Sequence, residues 1–249
     1  MTLYVFVGPT LPVEEGQREL DAVFLPPAAQ GDVYLATLEK PWAIGIIDGY
    51  FERVLSVSHK EILWAMSQGI HVFGSASMGA LRAAELEAFG MEGVGTVFNA
   101  FRTGELEADD EVAIAHAVTE ERYRPTSVAM VDMRATLCSA QRAGVIGGES
   151  RVALERIAKA LFYPDRCYPL LMAAAAKGGV ASAELERLRA FLASGGRVDQ
   201  KRADALLMLR TMSERVTGDP APKHVSWHFE HTDAWEYVRR NATQRSAAG

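Results

Sequence analysis

The chain has 249 residues, of which 49% are hydrophobic and 23% charged, with a formal net charge of −6. This mix excludes a disordered chain, and the lack of a basic run interleaved with aromatics argues against a nucleic-acid partner, because phosphate backbones bind clustered Lys and Arg. With no CxxC pair, no signal peptide and no stretch near the ~20 apolar residues that span a bilayer, we expect a cytoplasmic protein without a zinc finger, a disulfide scaffold or a membrane partner.

Short apolar runs that end at turn residues predict buried strands in the first half of the chain. They are residues 3–7, 23–25, 42–47 and 70–73. Apolar residues at helical spacing lie between and after these runs, at Ile62, Leu63 and Met66 and at Leu81, Ala84 and Ala88. Alternating strands and helices imply right-handed crossovers, so we predict an α/β fold: a Rossmann-like parallel sheet with helices on both faces.

The remaining residues predict a helical C-terminal region. Helical spacing recurs in three groups, namely Leu154, Ile157, Ala158 and Leu161, then Leu185, Leu188 and Leu192, then Ala205, Leu209 and Met212. We therefore predict an α/β core over residues 1–140, a helical region over 150–215 and a C-terminal tail over 216–249. Aromatic residues such as Trp227 and Trp235 could dock one piece of that tail.

The strongest local feature lies where the fourth apolar run ends, in the sequence FGSASMGALR of residues 73–82. Ser77 is flanked two residues away by Ser75 and Gly79, which is close to the G-x-S-x-G nucleophile elbow with serine in place of the first glycine. An elbow presents its serine at the carboxyl edge of the sheet and at a helix N-terminus, where backbone amides can stabilise an oxyanion. Serine is also a preferred N-cap, so Ser77 is either a nucleophile or a helix cap.

A histidine begins the helix that follows the third apolar run. Ser58 and Glu61 have the S-x-x-E spacing of a capping box, which makes Glu61 structural and places His59 in the first helical turn. The positive end of the helix dipole disfavours an imidazolium, so His59 is a candidate base. The start of this helix is expected at the same sheet edge as Ser77. The alternative is that His59 is a solvated bystander.

Further candidates come from charged residues along the first half. Asp109, Asp110, Glu111 and His116 suggest a metal site, but on a helix Asp109 and His116 would lie about 10 Å apart, too far for one ion, and H-E-x-x-H is absent. We therefore predict no metal, and His116 is a second candidate base. The candidate substrate-binding residues are Asp48, Lys60, Arg82, Asp110 and Glu111. Asp48 could equally be a turn residue, and Arg82 could pair with Glu85 on its own helix.

The glycines of residues 90–95 form neither a Walker A nor a G-x-G-x-x-G motif, so no cofactor is expected. The order of several motifs does resemble the TfuA-like family over about residues 3–140. These motifs are FVGPTL, PPAAQGD, IIDGYF, HKEIL, SMGALRAAE, FGMEGVGTVF and DDEVAIAH. HKEIL and SMGALRAAE are the most specific of them.

The resemblance implies an accessory role in peptide backbone thioamidation, in which a YcaO protein uses ATP to activate the amide oxygen. It also implies that the TfuA-like partner releases sulfur from a thiocarboxylated, ThiS-like ubiquitin-like carrier. The expected partners are therefore YcaO and that carrier, with the precursor peptide as a further candidate. Under this expectation the chain is a thiocarboxylate hydrolase whose site is centred on Ser77. The alternatives are a non-catalytic scaffold that binds YcaO and the carrier, and an independent serine hydrolase of small esters.

Overall fold

A computed structural model describes residues 1–51, 54–116, 123–218 and 221–248 of the chain, the side chains of 246–248 excepted. Within these ranges, five parallel strands form one sheet in the order β2-β1-β3-β4-β5. Their bounds are β1 Leu3–Phe6, β2 Val23–Leu25, β3 Ala43–Ile46, β4 His71–Ser75 and β5 Glu92–Val94.

The α-helices alternate with the strands up to residue 102 and then follow one another. They are α1 Val13–Glu19, α2 Asp32–Thr37, α3 His59–Ser67, α4 Met78–Leu86, α5 Thr96–Arg102, α6 Met130–Arg142, α7 Gly148–Ala160, α8 Tyr168–Lys177, α9 Ser182–Ala193, α10 Gln200–Gly218 and α11 Asp233–Ala248. Short 3-10 segments occupy Glu87–Phe89, Asp109–Glu111 and Tyr163–Asp165.

The predicted parallel α/β sheet with a helical C-terminal region is confirmed. The strands expected at residues 3–7, 42–47 and 70–73 are β1, β3 and β4, which are neighbours in that order. Strand β5 was missed, because three residues that include Glu92 and Gly93 form no apolar run. Its pairing with β4 comes from the packing of the sheet rather than from a local signal.

The sheet lies in the first of two compact units, which comprises residues 1–107 and 202–249. On one face, Val5 and Phe73 share a buried core with Leu209 and Met212 of α10. Side chains alternate between the two faces of a strand, so the fully buried Ile46 lies on the opposite face. Helices α3 and α4 contact β4. Burial on both sides explains why these strands are continuous apolar runs rather than alternating ones.

The strand order places a topological switch point between β1 and β3. After β1, the chain forms β2 on one side of β1 and then crosses over to form β3 on the other side of β1. In open α/β sheets, ligands bind outside the carboxyl ends of the strands at such a point. The segments that follow β1, β3 and β4, residues 7–10, 47–49 and 76–77, therefore define the region where a site is expected.

The C-terminal residues of the first unit dock on its helices. Trp235 is 1% exposed and packs against Tyr34 and Trp64, with ring centroids 5.4 Å and 5.6 Å apart respectively. The N–H of Lys223 donates to the carbonyl of Gly69 at 2.9 Å. Aromatic docking of part of the tail is therefore seen, whereas residues 219, 220 and 249 lie outside the described residues.

The second unit comprises residues 108–201 and has a helical core of its own. Leu137 of α6, Leu154 of α7, Leu171 of α8 and Leu188 of α9 are fully buried in one cluster. The helical spacing that predicted α7 and α9 reflects this burial, because residues three and four apart share one face of a helix.

Candidate functional site

Ser77 lies at a sharp turn between β4 and α4. It directly precedes the first residue of α4 and is 3% exposed. Its backbone angles are φ −123° and ψ −123°, and the preceding Ala76 has φ +64°, a left-handed conformation that is uncommon for a residue with a side chain. Such backbone strain costs energy and clusters at functional sites. The strand–turn–helix context that the elbow motif requires is therefore present.

The elbow is closed by a tight approach of α4 to the sheet. A Cβ atom on Gly79 would lie 1.7 Å from the carbonyl oxygen of Ile46, and one on Gly74 would lie 2.2 Å from the carbonyl oxygen of Gly79. Neither position can hold a side chain without moving the helix away from β3 or β4. The small residues in the motif are thus explained by backbone contact rather than by turn propensity alone.

Ser75, which replaces the first glycine of the elbow motif, is accommodated within the first unit. Its hydroxyl lies 2.7 Å from the carbonyl oxygen of Val94 and 3.0 Å from that of Asp204. Both acceptors are backbone groups of neighbouring elements, β5 and α10. The serine at this position is therefore fully buried and hydrogen-bonded, and the turn forms without glycine there.

The hydroxyl of Ser77 does not cap α4. Its side chain makes no capping hydrogen bond to the helix. The N–H of Met78, the first residue of α4, donates to no residue in the part of the chain that the structure describes. An N–H directly after a nucleophile is one of the donors that form an oxyanion hole in elbow enzymes. The Ser77 hydroxyl and the neighbouring Met78 N–H therefore take no part in capping α4.

His59 begins α3, as predicted, and its side chain is bonded to α4. Its Nε2 lies 2.8 Å from Glu85 Oε2. Arg82 Nη1 donates to the same oxygen at 2.6 Å, and Arg82 Nε donates to the carbonyl of Val57 at 3.0 Å. Among the described residues, no hydrogen bond joins His59 to Ser77. The predicted pairing of Arg82 with Glu85 is present, and it includes the histidine.

Asp48 lies at the switch point and ties two strand ends together. One carboxylate oxygen accepts the N–H groups of Gly8 and Thr10 at 2.9 Å and 3.0 Å, and the other accepts the Thr10 hydroxyl at 2.6 Å. The side chain is 2% exposed. Asp48 therefore orders the loop after β1. This role goes beyond the simple turn that the Asp48-Gly49 sequence also allowed.

Lys60 and Glu61, the next residues of α3, have contacts within the first unit. Lys60 Nζ donates to the carbonyl of Glu230 at 2.7 Å and lies 4.9 Å from the ring centre of Phe229. Glu61 Oε1 accepts the N–H of Ser58 at 2.7 Å, as the S-x-x-E spacing predicts. Its Oε2 accepts the N–H of Gly31 at 2.9 Å. Lys60 thus holds the C-terminal segment beside His59.

Asp110, Glu111 and His116 lie in the second unit. Asp110 is paired with Lys159 and, at 3.0 Å, with Arg166. Glu111 accepts two hydrogen bonds from Arg134, at 2.9 Å and 3.0 Å. Burial opposes ionisation of both acids, but these cationic partners outweigh it and hold both pKa values below the ordinary range. In the structure the two carboxylates anchor a 3-10 turn to helices of the same unit.

His116 forms an isolated bridge with Pro125, and its ring centre lies 5.7 Å from that of Tyr123. The acidic residues and His116 form no cluster able to hold a metal, since the described residues contain no group of three or more potential ligands.

The comparisons with known proteins bear on these residues directly. The family model described as "TfuA-like protein" matches residues 48–167. Residues 48–167 are therefore a TfuA-like region of the chain. The match confirms the resemblance seen in the sequence from residue 48 onward, and every predicted site residue lies within it, from Asp48 to His116. A search of curated proteins finds no match.

TfuA-like proteins are associated with YcaO proteins, so the match supports an accessory role in the YcaO system. The matched range contains β4, the elbow and α4. It excludes β1, β2, β3 and α10, which complete the sheet core around the elbow. No helix among the described residues is long and apolar enough to cross a membrane.

Two residues around the candidate site were not recognised from the sequence as part of a site. Glu85 was named only as a surface partner of Arg82, although it also binds His59. Thr10 meets Asp48 across 38 positions. No local spacing connects such pairs, but the position of Thr10 just after a strand end was a usable signal, because strand ends in a parallel sheet converge.

Glu61 carries a prediction about pH. Burial raises its pKa to about 7, despite hydrogen bonds from the backbone N–H groups of Ser58, Gly31 and Tyr34. The folded state therefore binds the Glu61 proton more tightly than the unfolded state, and this stabilisation is full below about pH 4.5 and is lost as pH rises through about 7. Relative to Glu61→Gln, the wild-type free energy of unfolding should fall by on the order of 2–3 kcal/mol between these pH values.

Urea unfolding at several pH values measures this difference. Glu87→Gln is the matched control, because Glu87 is half-exposed and its replacement should leave the pH dependence unchanged. A wild-type curve that runs parallel to that of Glu61→Gln would contradict the prediction.

Proposed function

We propose that this TfuA-like chain releases sulfide from a thiocarboxylated ubiquitin-like sulfur carrier and thereby supports a YcaO protein in peptide thioamidation. The observation that carries the proposal is the elbow: a serine at a strained turn whose hydroxyl does not cap α4, followed by a Met78 N–H that donates to none of the described residues. The hydroxyl oxygen of a serine that only capped α4 would be expected to accept a hydrogen bond from a helix amide. This one leaves both the hydroxyl and the amide available for chemistry.

The reaction follows from the chemistry of the thiocarboxylate. Ser77 Oγ attacks the carbonyl carbon, and the Met78 N–H stabilises the negative charge that develops on the carbonyl oxygen. The C–S bond then breaks and leaves an acyl-serine. The proton released by Ser77 goes to the departing sulfur, which leaves as hydrosulfide.

Water completes the cycle by hydrolysing the acyl-serine to the carboxylate and free Ser77. The base for both steps is His59, which receives the proton through water, since among the described residues its ring is bonded to Glu85 and not to Ser77. In net terms, thiocarboxylate and water yield carboxylate, hydrosulfide and a proton. The reaction requires no cofactor.

The remaining predicted residues have roles in binding under this proposal. Lys60 and Arg82 place positive charge near His59, where it can attract the anionic end of the carrier tail. Asp48 orders the loop after β1 at the switch point. The second unit, with Asp110, Glu111 and the second candidate base His116, would contact the carrier, YcaO or the precursor peptide. All of these steps would take place in the cytoplasm.

One observation favours a second function, that of a non-catalytic scaffold for YcaO and the carrier. Ser77 is 3% exposed, and His59 is held by Glu85 at 2.8 Å. A scaffold needs neither residue for chemistry. In that case the elbow positions α4 only as part of a docking surface.

The two functions separate in one experiment. The purified chain is mixed with thiocarboxylated carrier in the absence of YcaO, and sulfide is followed over time. We expect release with multiple turnovers by the chain alone, with the denatured chain as control. Release that requires YcaO would support the scaffold and overturn the hydrolase.

A further inference from the structure

His59, Glu85 and Arg82 form a connected group between α3 and α4. Glu85 lies eight residues after Ser77, about 12 Å along the axis of α4. One of its oxygens, Oε2, contacts both His59 Nε2 at 2.8 Å and Arg82 Nη1 at 2.6 Å. Arg82 is itself anchored by its Nε, which donates to the carbonyl of Val57, two residues before His59. The group therefore joins the start of α3 to the second and third turns of α4.

The contacts determine which nitrogen of His59 carries the proton. Burial opposes ionisation of Glu85, but the hydrogen bonds from His59 and Arg82 outweigh it and hold the Glu85 pKa below its ordinary value. An ionised carboxylate only accepts hydrogen bonds. His59 must then donate from Nε2, so the neutral ring has its lone pair at Nδ1.

We propose that Glu85 is a positioning residue for His59: it holds the ring in the Nε2–H tautomer and in one orientation, so that Nδ1 is the atom that accepts the proton. This inference rests on the proposed function, because it assigns a partner to the base used there. Glu85 acts through His59 and touches no substrate. Arg82 keeps the carboxylate in place by its bonds to Glu85 and to Val57.

The sharing of one oxygen supports this assignment over a plain surface ion pair. The side chain of Arg82 is 13% exposed and that of Glu85 is 37% exposed, so the pair is partly shielded from water. His59 is 48% exposed, which leaves room for a water at the ring. In base catalysis, a carboxylate commonly orients a histidine through one ring nitrogen while the other ring nitrogen accepts the proton.

The first arm of the test reads the tautomer directly and needs no activity. Nitrogen-15 NMR of histidine-labelled protein at pH 8 should show His59 as a single Nε2–H tautomer, with the signal assigned by its loss in His59→Gln. Glu85→Ala should convert it to the mixture of tautomers typical of a free imidazole. Glu85→Gln, whose amide oxygen still accepts a hydrogen bond, should keep it. An Nδ1–H tautomer in the wild type, or no change in Glu85→Ala, would overturn the inference.

The second arm measures sulfide release from thiocarboxylated carrier. Glu85→Ala should lower kcat about 10- to 100-fold with KM within about twofold, and Glu85→Gln should recover part of the loss. Glu87→Ala, a half-exposed glutamate just after α4, should leave both constants unchanged. If the wild type has a single tautomer but Glu85→Ala has an unchanged kcat, the positioning role is overturned.

The two arms also separate this inference from the proposed function. If the wild-type chain releases no sulfide, the proposed function fails. The NMR arm still decides whether Glu85 positions His59.

Discussion

Ser77→Ala should lower kcat for sulfide release by at least about 10³-fold while the carrier still binds, because removing a nucleophile leaves only the contribution of binding and of the oxyanion donor. The substitution retains a Cβ atom and so leaves the backbone of the elbow as it is. The hydroxyl of Ser77 makes no capping hydrogen bond in the wild type, so the loss of stability should be smaller than the ~1 kcal/mol of a typical cap deletion. Sulfide release under saturating carrier, with binding measured separately, gives the answer.

Two controls make the result for Ser77 specific. Ser75→Ala removes the neighbouring hydroxyl, whose contacts are to backbone carbonyls of β5 and α10, and it should retain most of the activity if the protein folds. Ser77→Gly tests the cap, since glycine is tolerated at N-caps with a loss of only a few tenths of a kcal/mol. A folded Ser77→Ala protein that releases sulfide at the wild-type rate would leave Ser77 without a catalytic role.

Gly79→Ala should destabilise the protein by about 3 kcal/mol, at the upper end of the usual cost of overpacking. The added Cβ would lie 1.7 Å from the carbonyl oxygen of Ile46, a backbone atom that cannot move alone. Helix α4 would have to shift away from β3, and the elbow with it. Sulfide release should therefore fall as well, even where the variant remains folded.

Urea unfolding measures this loss as a lower midpoint with an unchanged m-value. Gly218→Ala is the matched control, because none of the described residues contacts a Cβ at that helical position within 4 Å and alanine is the better helix former. Equal stability of Gly79→Ala and wild type would show that α4 is not held against β3 as the structure describes.

Both predictions depend on the same region, but they test different properties of it. Ser77→Ala changes the chemistry and leaves the packing, whereas Gly79→Ala changes the packing and leaves every side chain of the site. If catalysis needs the elbow geometry, both variants lose activity, and only the second loses stability.

The sequence by itself determined the elements whose signal is local. Buried runs such as residues 3–7 and 42–47 predicted β1 and β3, because strands covered on both faces are apolar throughout. The spacing of Ser58 and Glu61 predicted a hydrogen bond between them, since a helix start requires partners for its free amides. The order of motifs also predicted the TfuA-like family.

Only the tertiary structure decided how separate elements meet. The partner of His59 is Glu85, 26 residues away, and the sequence offered Ser77 or a bystander role instead. Periodicity predicted a helix containing Leu209 and Met212 but not that it covers the sheet beside Phe73. Such contacts depend on which faces pack together. The faces pack so that the apolar area exposed by the whole chain is small. A short window of residues carries no information on that packing.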